Sequence, residues 1–419
     1  MFTKSIKIGT AANGFVKSVR GFSTSRNLTT AHYSSALSER FYNEEQLQMQ
    51  QSLKKLIDTE INPYVNEWEA KEQMPSHHIW KLMGDAGFLG VHKPVEYGGM
   101  GLSYKYHAAV LEELGSIKAY GVSSAISVHT DVIVPPVAMY GSERLKKEFL
   151  VPSISGEYVG CVGSSEPGAG SDVANIKTKA VRQGDDLIIN GQKIWITNGL
   201  KADWILLLAN TSDGPPHKNK SLICVPLNVP GVIRVKIEKI GLKCTDWAQL
   251  FFEDVRVPAA NILGKEGDGF KQTMVQFQDE RLSFPLYLIR AMDDLISETV
   301  QFTQQRKTFG KSVFDNQAIQ FRLSELATEI EALRALTYMA VDMHSEGKDV
   351  TRLASMAKLK CGRLAREVAD SLLQLWGGMG FSSETQISRA YRDYRGCSIA
   401  GGTDEIILQI LGKILFKSR

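Results

Sequence analysis

Four short segments of this chain carry the residue types that chemistry needs. The first is Ser164-Ser165-Glu166-Pro167-Gly168-Ala169-Gly170-Ser171-Asp172. Glycines without a Cβ let backbone N–H groups approach a ligand closely, and flanking hydroxyls add donors. The third glycine of a dinucleotide-binding turn is missing and strand-like residues follow, so that fingerprint is excluded. A tight turn explains the same residues. The second segment, Trp195-Ile196-Thr197-Asn198-Gly199, sets an aromatic ring and a hydroxyl at a strand end, where a core tryptophan is the plainer reading. The third is Gln278-Asp279-Glu280-Arg281-Leu282, with Pro285 four residues past Arg281, where its ring meets the Arg281 carbonyl and kinks a helix. Alone, it reads as a solvated charged face. The fourth joins Arg392-Asp393 to Ala400-Gly401-Gly402-Thr403-Asp404-Glu405, a helix break with Thr403 placed to cap the next helix.

The elements that must position these segments follow from periodicity. Residues 45–60 place Leu47, Met49, Leu53, Leu56 and Ile57 at helical spacing, and further helical stretches fall at 79–87, 108–114 and 142–150. Gly98, Gly99 and Gly101 mark a loop. Between about 160 and 260 the period shortens. Leu187-Ile188-Ile189, Asn190-Gly191 and Ile194-Trp195-Ile196 predict a hairpin turning at Asn-Gly. Strands are expected at 204–208, 221–225, 232–237 and 250–257. Past Gly269 helices return, broken near 309–314, 347 and 377–380. The expected class is α+β, with domains at 40–158, 159–266 and 267–419.

Composition narrows the function. The 419 residues are 43% hydrophobic and 23% charged, as in an ordinary globular protein. No unbroken apolar run reaches the roughly 20 residues a bilayer span needs. Five scattered cysteines, without a CxxC pair, point to reduced buried thiols rather than a metal site or disulfide framework. Before Glu39 there is no acidic residue, while Lys4, Lys7, Lys17, Arg20 and Arg26 stand among many Ser and Thr. Residues 1–31 therefore read as a mitochondrial transit peptide. Without those five charges the formal +3 becomes about −2, and a nucleic-acid partner loses its electrostatic footprint.

In this order and spacing, the four segments resemble the acyl-CoA dehydrogenase family over nearly everything from 44 to 416. Supporting segments are Pro94-Val95-Glu96-Tyr97-Gly98-Gly99, Val255-Arg256-Val257-Pro258, Gln305-Arg306-Lys307-Thr308-Phe309-Gly310 and Trp376-Gly377-Gly378-Met379-Gly380. The resemblance implies an N-terminal helical domain, a central β domain and a C-terminal four-helix bundle, with FAD between the last two. It assigns Val162, Ser164, Ser165, Gly170, Ser171, Trp195, Ile196 and Thr197 to the isoalloxazine and ribityl chain. Ser165 replaces the family's usual threonine and keeps the hydroxyl. Arg306, Thr308, Gln317, Gln374, Gly377 and Gly378 take the positions that grip the FAD of a neighbouring subunit, so a homo-oligomer, commonly a tetramer, is implied. Thr403 and Glu405 match FAD contacts, and Ser171, Gln278, Arg281, Gly401 and Gly402 fall to acyl-CoA.

Many members carry the catalytic base just before the Gly-Thr of the last segment. Here that place is Gly401, which cannot take a proton. The subset resembling long-chain and isovaleryl-CoA dehydrogenases puts it on the bundle helix in an E-R-L setting, supplied here by Glu280-Arg281-Leu282. The implied reaction is α,β-dehydrogenation of a fatty acyl-CoA in the mitochondrial matrix, with electrons passing to electron-transferring flavoprotein. The segments at 305–311 and 355–358 look most like long-chain enzymes, with branched acyl groups open. An acyl-CoA oxidase is the alternative, against which the chain length and Lys417-Ser418-Arg419, a poor Ser-Lys-Leu address, both argue.

Overall fold

The computed structural model describes residues 36–416. The basic leader and the last three residues lie outside the described residues. The N-terminal part is helical: α1 (Glu44–Leu56), α2 (Ser76–Asp85), α3 (Tyr104–Leu114) and α4 (Tyr120–Ser127). A reciprocal cap opens α1, because Asn43 accepts from the Gln46 N–H while the Gln46 side chain accepts from the Asn43 N–H, both at 2.9 Å. Past α4 the helix widens over Val128–Ile133 before α5 (Val134–Tyr140). Pro135 and Pro136 have no N–H for the carbonyls of Asp131 and Val132, which favours that loosened turn. Tyr120–Tyr140 is long and apolar enough to cross a membrane by composition, yet 78% of its window is buried inside the protein. It is a core helix.

The β domain is one seven-stranded sheet in the order β1 (Gly160–Gly163), β4 (Trp204–Asn210), β2 (Lys179–Gln183), β3 (Asp186–Thr197), β7 (Trp247–Pro258), β6 (Val232–Lys236), with β5 (Lys220–Pro226) also paired to β4. The expected hairpin at Asn190-Gly191 is not there. β3 runs straight through that dipeptide, and the tight turn lies at Gly184, φ +62°. Asn-Gly instead makes a bulge, with the register against β7 shifting between Ile189 and Gly191. Gly191 is required because a Cβ would meet the Thr178 hydroxyl oxygen at 2.5 Å, while the Asn190 amide is consumed by Asp254 across the sheet.

The C-terminal part is built on α6 (Gly269–Gln305), α7 (Gln317–Ser345) and α8 (Thr351–Trp376), then α9 (Gln386–Tyr394) and α10 (Asp404–Phe416). α6 continues through Pro285, whose missing N–H leaves the Arg281 carbonyl without its helical partner. Buried Arg334 of α7 ties the layers together, pairing with Glu112 of α3 and Asp293 of α6. Among the described residues all five cysteines are free and buried, and no group of His, Cys, Asp and Glu could hold a metal ion.

Candidate active site

Two glycines bring the third and fourth segments together. Gly401 and Gly402 have φ of +65° and +97°, so the chain between α9 and α10 bends through backbone angles that side chains tolerate poorly. A Cβ built on Gly401 would stand 3.5 Å from Glu280 Oε1 and 3.6 Å from the Phe284 ring. The carboxylate of α6 thus occupies the space in front of Gly401. Burial pushes the Glu280 carboxyl above its ordinary range. The charges of Arg281 and Lys358 pull it back, and that of Asp131 adds to the rise. Lys358, 1% exposed, donates to the Gly402 carbonyl and fixes the turn. Thr403 accepts from the Ile406 N–H at 3.3 Å, the capping role its position suggested. Glu405 is exposed, and its own backbone N–H and the Thr403 hydroxyl hold its carboxyl low.

The glycine-rich segment forms a turn in which Glu166 and Ala169 exchange backbone hydrogen bonds at 3.0 Å. Nothing lies within 4 Å of a Cβ at Gly168 or Gly170, and Gly170 and Ser171 are exposed. Ser164 Oγ is buried without a hydrogen-bond partner, beside half-buried Val162 and Ser165. β3 holds this turn from beneath: the Ile194 N–H donates to Ser165 O at 3.0 Å, and Lys193 Nζ reaches Ser164 O at 3.2 Å and Glu166 Oε1 at 2.8 Å. A second register shift between Lys193 and Ile196 puts Trp195 at φ +63° and leaves it 55% exposed. A bulge re-aims a side chain at some cost in backbone strain. Here it turns a large aromatic out of the core, while Ile196 stays buried and Thr197 half-buried. An exposed ring, an unpaired hydroxyl and an open glycine turn fit the flat ring system and hydroxylated chain of a flavin.

Arg281 is buried, its guanidinium 5.9 Å from the Phe277 ring centre and its Nε without a partner. Gln278 lies two residues from Glu280 and therefore on another helix face. Arg306, Thr308, Gln317, Gln374, Gly377 and Gly378 gather elsewhere, at the far end of the bundle. Trp376 stacks on Phe302 at 4.1 Å and donates to Thr299, which brings the turn after α8 beside the end of α6. Arg306, Gln317, Gln374 and both glycines there are exposed. Lys193 and Glu166 were not singled out by sequence reasoning. The signal was a charged residue at an inward position of a strand otherwise burying Leu187, Ile189 and Ile196.

A partly buried carboxylate facing a glycine turn, on a helical bundle packed against a β domain with an open cradle, defines a flavin-dependent dehydrogenase. The chain matches the family models of the acyl-CoA dehydrogenase N-terminal domain over residues 43–157, the middle domain over 161–255 and the C-terminal domain over 267–416. It is 36% identical over 377 residues to the mitochondrial long-chain specific acyl-CoA dehydrogenase of Sus scrofa, covering 89% of this chain and 87% of that one. It is 33% identical to the isovaleryl-CoA dehydrogenase of Oryza sativa over 387 residues, 92% and 94% of the two chains. The crystal structure of an acyl-CoA dehydrogenase from Geobacillus kaustophilus superimposes with a TM-score of 0.87 at 38% identity, over 90% of this chain and all of that one. The protein belongs to the acyl-CoA dehydrogenase family, FAD-dependent oxidoreductases that act on the CH–CH bond of acyl-CoA thioesters.

Proposed function

We propose that the protein dehydrogenates long-chain fatty acyl-CoA to the trans-2-enoyl-CoA in mitochondria, using Glu280 as the base. The observation that carries this is the Glu280 carboxylate lying 3.5 Å from where a Gly401 side chain would begin. The α-proton of a thioester is a very weak acid, and two features of the chain close the gap. Burial raises the proton affinity of Glu280. In this reading the Gly401 N–H donates to the thioester carbonyl as enolate charge develops. FAD, when bound, supplies the acceptor for the hydride leaving the β-carbon. Val162, Ser164, Ser165, Gly170, Trp195, Ile196, Thr197, Thr403 and Glu405 hold and orient it. Ser171, Gln278, Arg281 and Gly402 border the thioester and its CoA.

The second cluster serves another subunit. Twenty-six positions of one helix and its cap separate Glu280 from Arg306, about 39 Å of axis at about 1.5 Å per residue. That is too far for one FAD to touch both, so Arg306, Thr308, Gln317, Gln374, Gly377 and Gly378 would grip the cofactor of a neighbour in a homo-oligomer, a tetramer in this reading. Electrons then leave to electron-transferring flavoprotein. The long-chain relative favours a straight acyl chain. The isovaleryl relative favours a branched one as second reading.

Turnover against straight and branched acyl-CoAs, with electron-transferring flavoprotein or oxygen as acceptor, tests the proposal. Reduction fastest with long straight chains, and little peroxide, is expected; rapid peroxide formation would instead mark an oxidase. Glu280→Gln should bind FAD and acyl-CoA yet reduce flavin about a thousandfold more slowly. A near-wild-type bleaching rate in stopped flow would remove Glu280 from the role.

A further inference from the structure

Behind the turn of α6 that bears Glu280 lies a buried polar cluster that the reaction above does not use. Asp131, 1% exposed, sits in the widened turn after α4. Its Oδ1 meets His107 Nε2 of α3 at 2.6 Å, and its Oδ2 accepts from Thr130 at 2.8 Å and Ser127 at 3.1 Å. The single Ser127 proton is shared between Asp131 Oδ2 and Ser283 Oγ, the latter 3.2 Å away, and Ser283 donates to the carbonyl of Glu280 at 2.9 Å. Ser127, Ser283, Thr130 and His107 are all buried. Three groups from three elements therefore converge on one carboxylate, and a hydroxyl path runs from it to the backbone of the base.

We propose that Asp131 is a positioning residue for Glu280: its carboxylate, held by His107, Thr130 and Ser127, braces the Glu280 turn through Ser283 and sets a fixed negative charge behind the base. The proposal rests on Glu280 being that base.

A carboxylate buried this deeply is held inside a protein only by several donors, and this one is so held. Rigid bracing keeps the proton acceptor in a productive position, where small displacements are costly. The charge acts separately. A second anion nearby makes ionising Glu280 harder and its basicity greater. Lys93, Tyr104 and Tyr287 also feel the Asp131 charge, and Arg281 and Lys358 oppose it at Glu280. Among these groups Asp131 supplies the negative potential. Nearby His344 is engaged by Asp279 at 3.0 Å, and the Lys93 ammonium meets His92 at 2.6 Å.

The test uses the FAD-loaded protein with Asp131→Asn, which keeps the size and the acceptor while removing the charge. Infrared difference spectra against Glu280→Gln follow the Glu280 carboxyl through its titration without any turnover. In parallel, single-turnover flavin reduction is measured from pH 5.5 to 9.5. The Glu280 midpoint is expected to fall in Asp131→Asn, with the acid limb of flavin reduction moving alike and the plateau rate dropping about threefold, as for a weaker base. Asp131→Glu should restore the midpoint. An unmoved midpoint in a well-folded, flavin-loaded Asp131→Asn overturns the proposal. Ser283→Ala decides the matter if the Asn variant does not hold flavin. It should split or broaden the Glu280 carboxyl band, and an unchanged band overturns the brace. If no acyl-CoA reduces the wild-type flavin, the dehydrogenase reading fails, while the infrared titration still decides the role of Asp131.

Discussion

Gly401 has φ +65°, a backbone angle at which a side chain costs about 1–2 kcal/mol. The strain is affordable, because a Cβ there would make only ordinary contacts, the nearest being Glu280 Oε1 at 3.5 Å. Two positions on different elements thus face one point, and a base is able to stand on either. Glu280→Gly combined with Gly401→Glu should recover measurable flavin reduction over Glu280→Gly alone. Recovery will be partial, since the new carboxylate lacks the shell that holds Glu280. With Glu280 kept, Gly401→Glu places two carboxylates side by side and raises the pKa of one. Its pH–rate profile should shift accordingly; a profile like wild type together with no rescue in the double variant would mean that the positions do not converge. Glu280 and Gly401 were legible in the sequence because an E-R-L run and a Gly-Gly-Thr run are local. Asp131 was not, since its partner His107 lies 24 residues away and only the fold joins them.

At the scale of elements, the helical periodicities and most strands were legible, and the misreading at Asn190-Gly191 shows where local signals stop. An Asn-Gly pair favours a hairpin turn, but Leu187, Ile189, Lys193 and Ile196 all face inward on one strand and pair with β7. Long-range pairing won, and the dipeptide became a bulge. That strand then anchors the glycine-rich turn through Lys193, which is fully buried against Glu166. Burial raises the Glu166 carboxyl, but Lys193 and the amides of Thr178 and Lys177 outweigh it and hold it below its ordinary range. Removing one partner of such a pair leaves an uncompensated charge, at about 3–5 kcal/mol. Lys193→Met should therefore lower the thermal midpoint and loosen FAD, while Lys193→Met with Glu166→Gln should lose less than the single variant. A double variant that loses as much as the sum of both singles, by calorimetry and flavin titration, would contradict coupling between them.

Across the whole molecule, buried carboxylates set the response to pH. Burial pushes Glu113 and Asp393 up to about 7. Such groups bind more protons folded than unfolded. Their contribution to stability is complete below the ordinary carboxylate pKa and is lost as pH climbs from there through about 7. The thermal midpoint should fall by about 3 °C or more between pH 5.5 and 7.5, and Glu113→Gln should flatten that slope. Assembly makes a sharper demand. If the Arg306 cluster grips a neighbour's FAD, each active site takes its base from one subunit and its grip from another. Glu280→Gln subunits lack the base but keep the grip, whereas Arg306→Ala/Gln374→Ala subunits keep the base and lose the grip. Neither should reduce flavin well alone. Co-expressed and randomly assembled, about a quarter of the sites combine an intact Glu280 with an intact neighbouring Arg306. The mixture should therefore show about a quarter of wild-type flavin reduction, beyond the sum of the separate variants. Were the cluster to act on its own subunit's cofactor, every site would carry one defect, and mixing would restore nothing.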